Sequence, residues 1–129
     1  MKENCVIEQT QEIDMTINDI KHSPEVMAFA SMFHYGCLGI EKTEADIRAS
    51  VKRVIDSGYY LQALDVELIY ASLVLELFNG RTPVHASVSY PLGNMDKKKK
   101  LRDLDLMIRI GVSQCAYCLN YRNILDQLE

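Results

Sequence analysis

Two kinds of segment alternate along this sequence, and this alternation limits the fold more than any other feature. Segments with apolar residues at every second position, typical of strands, are followed by segments with an apolar stripe at helical spacing. Each helix in such a chain must cross back over the sheet by a right-handed connection and cover one face, which requires parallel strands. We therefore predict an α/β fold with the order β-α-β-α-β-α-β.

Both a flavodoxin-like open sheet and part of a (β/α)8 barrel satisfy this order. The chain has 129 residues, which fits one ordinary domain. A complete barrel of typical size needs about 250 residues. If the fold is a barrel, this sequence therefore accounts for roughly half of one.

The chain before the first clear helix is harder to assign. The first 22 residues are mostly polar, and we interpret them as an edge strand, a short helix or a tail. Ser23 as N-cap and Pro24 at the first helical position indicate a helix that runs into VMAFASMF. This region could instead end as a buried strand over residues 33–38, because periodicity does not separate the two for short apolar runs.

The clearest helix begins after Thr43 and ends at Gly58. Thr43 can cap the helix together with Asp46 three residues on, and Gly58 is a typical terminator. Its apolar stripe consists of Ile47, Val51, Val54 and Ile55.

The next unit is predicted as a buried strand over residues 59–64 and a helix that ends at Phe78, before Asn79-Gly80. Asp65 stands between them. That position is the catalytic edge of a barrel, but an N-cap aspartate is expected there on structural grounds alone, so we favour the cap.

The third strand follows Pro83 and is predicted from a period of two in VHASVSY. His85 could line a pocket or be a hydrogen-bonded core histidine, and the second is the commoner situation. One predicted face carries Val84, Ala86, Val88 and Tyr90, and the other carries His85, Ser87 and Ser89.

Asp96 is predicted to start a third helix that Gly111 ends, before a fourth strand over residues 113–119. Its expected apolar stripe is Leu101, Leu104 and Ile108. The four lysines at residues 97–100 spread over about 300° of a helix, so they cannot converge on one reacting carbon. We interpret them as a solvated helix start with no buried lysine, and a contact with an anion or a partner as the alternative.

The composition supports a folded chain and excludes several classes of partner. Hydrophobic residues make up 48% and charged residues 25%, as in average globular proteins. The net charge of -4 argues against a general binder of nucleic acid or anionic membranes. No stretch approaches the roughly 20 apolar residues of a membrane helix, and the first residues are too polar for a signal peptide. We expect a cytosolic protein with no nucleic-acid or membrane partner.

The four cysteines, Cys5, Cys37, Cys115 and Cys118, are expected to be thiols, because a reducing compartment would leave them unpaired. Cys115 and Cys118 have the spacing of redox and zinc sites, but their apolar setting predicts a strand, in which residues three apart point to opposite faces. No second C-x-x-C or nearby histidine pair completes a zinc set. We interpret them as buried structural thiols and expect neither a metal site nor a cofactor.

Three stretches make the sequence resemble the class I deoxyribose-phosphate aldolases. TEADIR at residues 43–48 opens the first clear helix, which leads to a Ser-Gly-Tyr turn where the family has Gly-Phe. YPLGN at residues 90–94 is similar to the family's FPLG or FPHGN after the third strand. Asn120-Tyr121-Arg122, followed by Ile124-Leu125, is similar to the segment that closes the fourth strand. Order and spacing agree over about residues 33–126.

The resemblance implies an α/β fold of parallel β/α units that resembles half of a TIM (β/α)8 barrel. The family uses a Schiff-base lysine on its sixth strand and a second lysine on its seventh. Those strands, and the family's phosphate-binding loops, would belong to the part of the barrel that this sequence does not supply. The resemblance implies an aldolase-like (β/α)4 domain at residues 33–129, with residues 1–32 as an N-terminal extension or cover.

Three positions depart from the family pattern. The family's acidic residue on the fourth strand, in a pattern like GADEIDMVIN, is replaced by Ala116 in GVSQCAYCLN. A pattern like VCVNP has become ALDVE on the second strand, and His34 stands where the family usually has Asp. Amine catalysis on a carbonyl needs a lysine whose pKa falls from about 10.4, together with a positioned acid or base. We therefore expect no catalytic residue in this chain.

The polar residues at predicted strand ends form a candidate pocket, for which a small phosphorylated ligand is the expectation. Arg122 is the best anion-binding candidate because a guanidinium fork suits phosphate and carboxylate, although a surface ion pair would explain it about as well. The candidate pocket residues are His34, Asp65, His85, Asn94, Asn120 and Arg122.

A half barrel leaves one sheet face and two strand edges uncovered, which favours association. We expect a homo-oligomer or a second chain that completes the barrel, with residues 1–32 as an alternative cover, or a truncated piece of a longer aldolase-like protein. Two functions stay open. One is a fragment or subunit of an aldolase whose lysines come from elsewhere, and the other is an inactive scaffold kept for binding or oligomerisation. We favour the second for this chain alone.

Overall fold

The structure is a computed structural model that describes residues 17–126. Four strands alternate with helices in the order that the sequence predicts. The strands are β1 His34–Cys37, β2 Ala63–Glu67, β3 Val84–Val88 and β4 Gln114–Tyr117. The helices are α1 Ile17–Lys21, α2 Pro24–Ala30, α3 Glu44–Ser57, α4 Leu68–Phe78, α5 Lys97–Ile110 and α6 Tyr121–Leu125.

All strand pairs are parallel, and the spatial order of the strands is β1-β2-β3-β4. Each strand therefore lies beside its neighbour in sequence. A doubly wound sheet of the flavodoxin type reverses its strand order at a switch point, whereas a (β/α)8 barrel adds strands consecutively. The observed order is that of a barrel segment, which decides between the two folds left open by the sequence.

Helices α3, α4 and α5 cover one face of the sheet and enclose the core there. The buried apolar side chains of β2 and β3 pack against one stripe on each helix. The sequence predicts most of this stripe on α3, since Ile47, Val51 and Val54 are buried. The other buried core residues are Cys37, Leu64, Val66, Ala71, Val74, Phe78, Val84, Ala86, Val88 and Met107.

The predicted starts of α2, α3 and α5 are confirmed. Ser23 caps α2 with its side chain, and Pro24 occupies the first helical position. Thr43 and Asp46 form a complete capping box at α3, and Asp96 accepts a hydrogen bond from the Lys99 amide at α5. These polar side chains satisfy amide donors that have no partner within the helix.

The second strand is the main correction to the predicted elements. It spans Ala63–Glu67, whereas the sequence predicts a strand over residues 59–64. Leu64 and Val66 face the helices, and Asp65 and Glu67 face the other side, so the strand has a regular period of two. Asp65 is therefore in mid-strand, and the prediction that it caps α4 is wrong. Glu67 occupies the N-cap position instead, and its side chain does not cap the helix but accepts a hydrogen bond from the Gly39 amide.

The buried face of α5 also differs from the prediction. Leu101 and Ile108 are 51% and 77% exposed, and only Leu104 of the expected stripe contacts the core. Lys100 and Met107 are the buried residues of this helix. The buried face of α5 includes Lys100, because the lysine amine has polar partners at the end of the sheet. The prediction that no lysine is buried is therefore wrong.

The outer strands are more exposed than the sequence predicts. In β1, only Cys37 is buried. In β4, Cys115 is exposed, and Cys118 just beyond it is half-buried, so the expectation of buried thiols is wrong for this pair. Both strands lie at the edges of the sheet, where a neighbouring strand is present on one side only. Cys5 lies outside the described residues.

The N-terminal region is described from residue 17 onward, where α1 and α2 contact each other. Of the three interpretations of the first 22 residues, the short helix applies to Ile17–Lys21. The division into residues 1–32 and 33–129 stays a prediction. Within residues 17–126, no helix is both long enough and apolar enough to cross a membrane.

Candidate functional site

The face of the sheet opposite helices α3, α4 and α5, here called the interior face, carries mostly polar or small side chains. The strand register places them in rows, with Gly36, Asp65, His85 and Gln114 in one and Glu67, Ser87 and Ala116 in the next. All seven are exposed or half-buried, whereas the β2 and β3 residues facing the helices are fully buried. In a closed barrel this face would point to the inside.

His34, Asp65 and His85 form a compact cluster on the interior face, here called the His-Asp-His cluster. The Nδ1 atoms of both histidines lie 2.7 Å from the same oxygen, Oδ1 of Asp65. The two imidazole rings are edge to face with centroids 5.2 Å apart. For both contacts to be hydrogen bonds, each ring must carry its proton on Nδ1 and donate it to the carboxylate.

The backbone explains why these three side chains meet. Asp65 is the register partner of His85 in β3 and of Gly36 in β1, and His34 lies two residues before Gly36 on the same face. Adjacent parallel strands are about 4.8 Å apart, so residues in register on one face are in contact. The cluster partly fills the interior face, with side-chain exposures of 29%, 19% and 16% for His34, Asp65 and His85.

All three residues are pocket candidates on the basis of the sequence, but their contact with one another is not predicted. The prediction of Asp65 as a helix cap hides its position beside His85. The signal that could have found the cluster is the alternation in ALDVE, which places Asp65 and Glu67 on one face of a strand.

The other candidate residues, Asn94, Asn120 and Arg122, lie at the carboxyl ends of β3 and β4 and form a second group. With Leu92 and Tyr121 they line a cavity of about 360 Å³, here called the carboxyl-edge groove. Asn120 caps α6, where its Oδ1 accepts hydrogen bonds from the amides of Arg122 and Asn123. Among residues 17–126, the Arg122 guanidinium has no ion pair, so the alternative of a surface ion pair is not supported there. The six candidates therefore occupy two places, not one pocket.

An adjoining cavity of about 450 Å³ shares Asn94 and Asn120 and is also lined by Lys97, Lys100 and Tyr117. Lys100 is 4% exposed. Its Nζ donates hydrogen bonds to the carbonyl oxygens of Gly93, at 2.6 Å, and Cys118, at 2.8 Å, and lies 4.9 Å from the centre of the Tyr117 ring. These contacts tie α5 to the ends of β3 and β4, so Lys100 has a structural task on the helix side of the sheet.

The chemistry expected of a Schiff-base aldolase has no counterpart on these four strands. Their sequences, HYGC, ALDVE, VHASV and QCAY, contain no lysine. Ala116 lies on the interior face beside Ser87, where the resemblance places an acidic residue. Partial burial, with a smaller contribution from the Cys118 thiol, raises the pKa of Cys115, which disfavours its reactive thiolate.

Comparison with solved structures finds aldolases of similar fold. A protein from Coccidioides immitis, provisionally assigned as a deoxyribose-phosphate aldolase, has a TM-score of 0.62 and 18% identity over 71% of this chain and 36% of its own. An aldolase named QR15 has a TM-score of 0.68 and 17% identity, over 77% of this chain and 43% of its own. The tetrameric deoxyribose phosphate aldolase from Aeropyrum pernix has a TM-score of 0.61 and 21% identity, over 78% of this chain and 45% of its own. No protein-family model and no curated protein sequence matches the chain.

These comparisons establish the fold. The chain is an α/β structure that corresponds to part of an aldolase TIM barrel, as the sequence resemblance implies. It spans less than half the length of each of the three proteins.

Proposed function

We propose that this chain is an aldolase-type half barrel that acts as a binding and assembly scaffold and does not itself cleave carbon-carbon bonds. The observation that carries the proposal is the chemistry of the interior face. That face presents two histidines, two carboxylates, a serine and an alanine, without an amine that could form a Schiff base.

The buried Lys100 does not replace the missing amine. Lys100 lies on α5, and both of its hydrogen bonds go to backbone carbonyls. A nucleophilic lysine must present an unprotonated amine to the substrate carbonyl, with an acid or base beside it. The carbonyl oxygens around Lys100 only accept hydrogen bonds, so they occupy the amine and supply no acid or base beside it.

The partner in this proposal is a second copy of the chain, which completes the barrel. Strands β1 and β4 are the open edges of a four-stranded parallel sheet, and parallel sheets are ordinarily covered on both faces. Pairing of edges from two copies would give an eight-stranded arrangement and would bury both interior faces. The tetrameric state of the Aeropyrum pernix enzyme shows that a protein of similar fold assembles.

The ligand in this proposal is a small phosphorylated molecule that binds in the carboxyl-edge groove. Arg122 supplies a guanidinium without an ion pair among residues 17–126, and Asn94 supplies an amide to the lining of the same groove. Ligands of parallel α/β folds bind at the carboxyl ends of the strands. Titration calorimetry with 2-deoxyribose 5-phosphate should show binding that Arg122→Gln weakens and that Arg109→Gln, on the outer surface of α5, leaves unchanged.

The test of inactivity is a trapping experiment on the purified chain. We expect incubation with 2-deoxyribose 5-phosphate and sodium borohydride to give no covalent adduct by mass spectrometry, and no retro-aldol product. The Aeropyrum pernix aldolase, treated in parallel, is the positive control. A reduced adduct on any lysine, or measurable turnover, would contradict the proposal and favour an aldolase subunit instead.

A further inference from the structure

We propose that the His-Asp-His cluster is a binding site for a divalent first-row transition metal ion, with Zn²⁺ as the representative ion. His34, Asp65 and His85 would each supply one ligand atom. The inference depends on these three side chains and not on the proposed scaffold function, so either can fail without the other.

The donor set is one that such ions prefer. Imidazole nitrogen is a good ligand for zinc, iron, copper and nickel, and two histidines with one carboxylate leave coordination positions open to other ligands. Mg²⁺ and Ca²⁺ prefer sites built from oxygen alone. Two nitrogens and one carboxylate therefore select the transition metals.

The distances are close to those of a ligand set. One ligand atom from each of the three residues lies within 4.8 Å of the other two. Both nitrogen-to-oxygen distances are 2.7 Å. Bonds of about 2.1 Å to a tetrahedral zinc ion would require about 3.4 Å between ligand atoms. Opening each contact by less than about 1 Å, which small side-chain rotations can supply, would admit the ion.

The three residues are held by three adjacent strands. Their Cα positions are set by the β1-β2-β3 register, with Asp65 directly beside His85. Metal sites built on regular elements are more accurately positioned than sites on loops. The ion would take the place of the two Nδ1 contacts to Asp65 Oδ1 without rearranging the backbone, and any proton on Nδ1 would move to Nε2 of the same ring or leave to solvent.

The site would remain open on one side. The cluster is on the interior face, and its three side chains keep 16% to 29% of their surface exposed. Within residues 17–126, this is the only set of three or more His, Cys, Asp or Glu side chains with ligand atoms so close together. Three protein ligands and an accessible side are the pattern of sites that hold water or an exchangeable oxygen ligand.

The chain carries its own control for a test. It has three histidines, and His22 lies outside the cluster, stacked on Tyr59. We expect isothermal titration of the full 129-residue chain with ZnCl2 to show saturable binding of one ion. His34→Gln and His85→Gln should each weaken it at least about tenfold, and His22→Gln should leave it unchanged. Cys115→Ser/Cys118→Ser should also leave it unchanged, a result that would exclude these two thiols as the ligands.

A second readout does not depend on variants that could fold poorly. In nitrogen-15 spectra of the histidine rings, one equivalent of Zn²⁺ should move the signals of His34 and His85 and leave those of His22 in place. Cobalt should give a visible spectrum without thiolate charge-transfer bands. The proposal is overturned if the chain does not bind zinc, if all three histidines respond alike, or if cobalt shows thiolate ligation.

Discussion

At the scale of single residues, Lys100 is buried although it belongs to a run of lysines that the sequence pattern predicts to face water. Lysines in a charged run normally face water, and Lys97, Lys98 and Lys99 do so. Lys100 instead satisfies the carbonyl oxygens of Gly93 and Cys118, which the fold brings to the start of α5. The helical period alone does not reveal those partners, because they come from segments 7 and 18 residues away.

Replacing this amine should destabilise the fold. Lys100→Met keeps most of the apolar stem but leaves two carbonyl oxygens without their donor, so we expect a loss of about 2 kcal/mol in the free energy of unfolding. Lys98→Met, on an exposed neighbour, should change it by less than about 0.5 kcal/mol. Urea unfolding measures both. Equal stability of the two variants would show that the Lys100 contacts contribute nothing.

Gly93 carries a second residue-scale prediction. Its φ is +66°, and a Cβ added there would collide with the carbonyl group of Leu119. Gly80 has a similar φ of +81° but open space around it. Gly93→Ala should therefore cost roughly 3 kcal/mol or more, through strain and collision together. Gly80→Ala should cost only the left-handed backbone strain of about 1 kcal/mol. If thermal unfolding showed that Gly93→Ala and Gly80→Ala lose similar stability, the close approach of Gly93 to Leu119 would be contradicted.

The candidate site was only partly predictable from the sequence. Residue type and position identify His34, Asp65 and His85 as candidates, since polar residues near strand ends are unusual in a buried sheet. Their shared oxygen atom depends on register between three strands, 20 and 31 residues apart, and a shift of a few residues in the predicted β2 is enough to conceal it.

At the scale of elements, helices were easier to predict than strands. The limits of α3 and α5 and the end of α4 follow from local signals, the caps at Thr43 and Asp96 and the stops at Gly58, Asn79 and Gly111. The position of β2 does not, because the aromatic residues at 59–60 are as strand-like as ALDVE. Pairing with β1 and β3 decides which segment forms the strand.

The capping box of α3 predicts a pH dependence. Hydrogen bonds from the Thr43 hydroxyl and amide lower the pKa of Asp46 below its ordinary 3.8. A lowered carboxyl pKa stabilises the fold above the ordinary value, and this contribution disappears as the pH falls through the lower value of the folded state. Asp46→Ala should therefore be less stable than the wild type at pH 6, with a smaller difference at pH 3.

Thermal unfolding at the two pH values measures this difference. Glu76→Ala, which removes an exposed carboxylate from α4, is the control and should show no comparable convergence with the wild type at low pH. A stability difference for Asp46→Ala that stays constant from pH 6 to pH 3 would contradict the role of the ionised carboxylate in the cap.

At the scale of the whole molecule, the four strands form a recognisable segment of a barrel, and helices α3, α4 and α5 cover only one face of their sheet. The parallel direction of the strands follows from the alternation of elements, and the aldolase likeness from three short stretches of the sequence, whereas the consecutive strand order is given by the structure. A cover for the interior face does not follow from local pattern, because it would require contacts between residues far apart in sequence or in different chains.

A charge placed on the interior face should weaken self-association. Ser87 lies on this face between Glu67 and Ala116, and in a two-copy barrel Ser87→Glu would bury an added carboxylate there, near that of Glu67. Ile108→Glu adds the same charge to the outer surface of α5, where residue 108 is 77% exposed. We expect Ser87→Glu to shift the mass in sedimentation equilibrium toward that of one chain and Ile108→Glu to leave it unchanged. If Ile108→Glu lowered the mass and Ser87→Glu did not, the interface would lie on the helices.

The most direct test of the scaffold account is the molar mass of the purified 129-residue chain in solution, by light scattering over a range of concentrations. One chain has a mass of 14.7 kDa. The account predicts a folded particle of twice that mass, as expected for two half barrels that cover each other's interior face. A folded particle of 14.7 kDa at every concentration would contradict it.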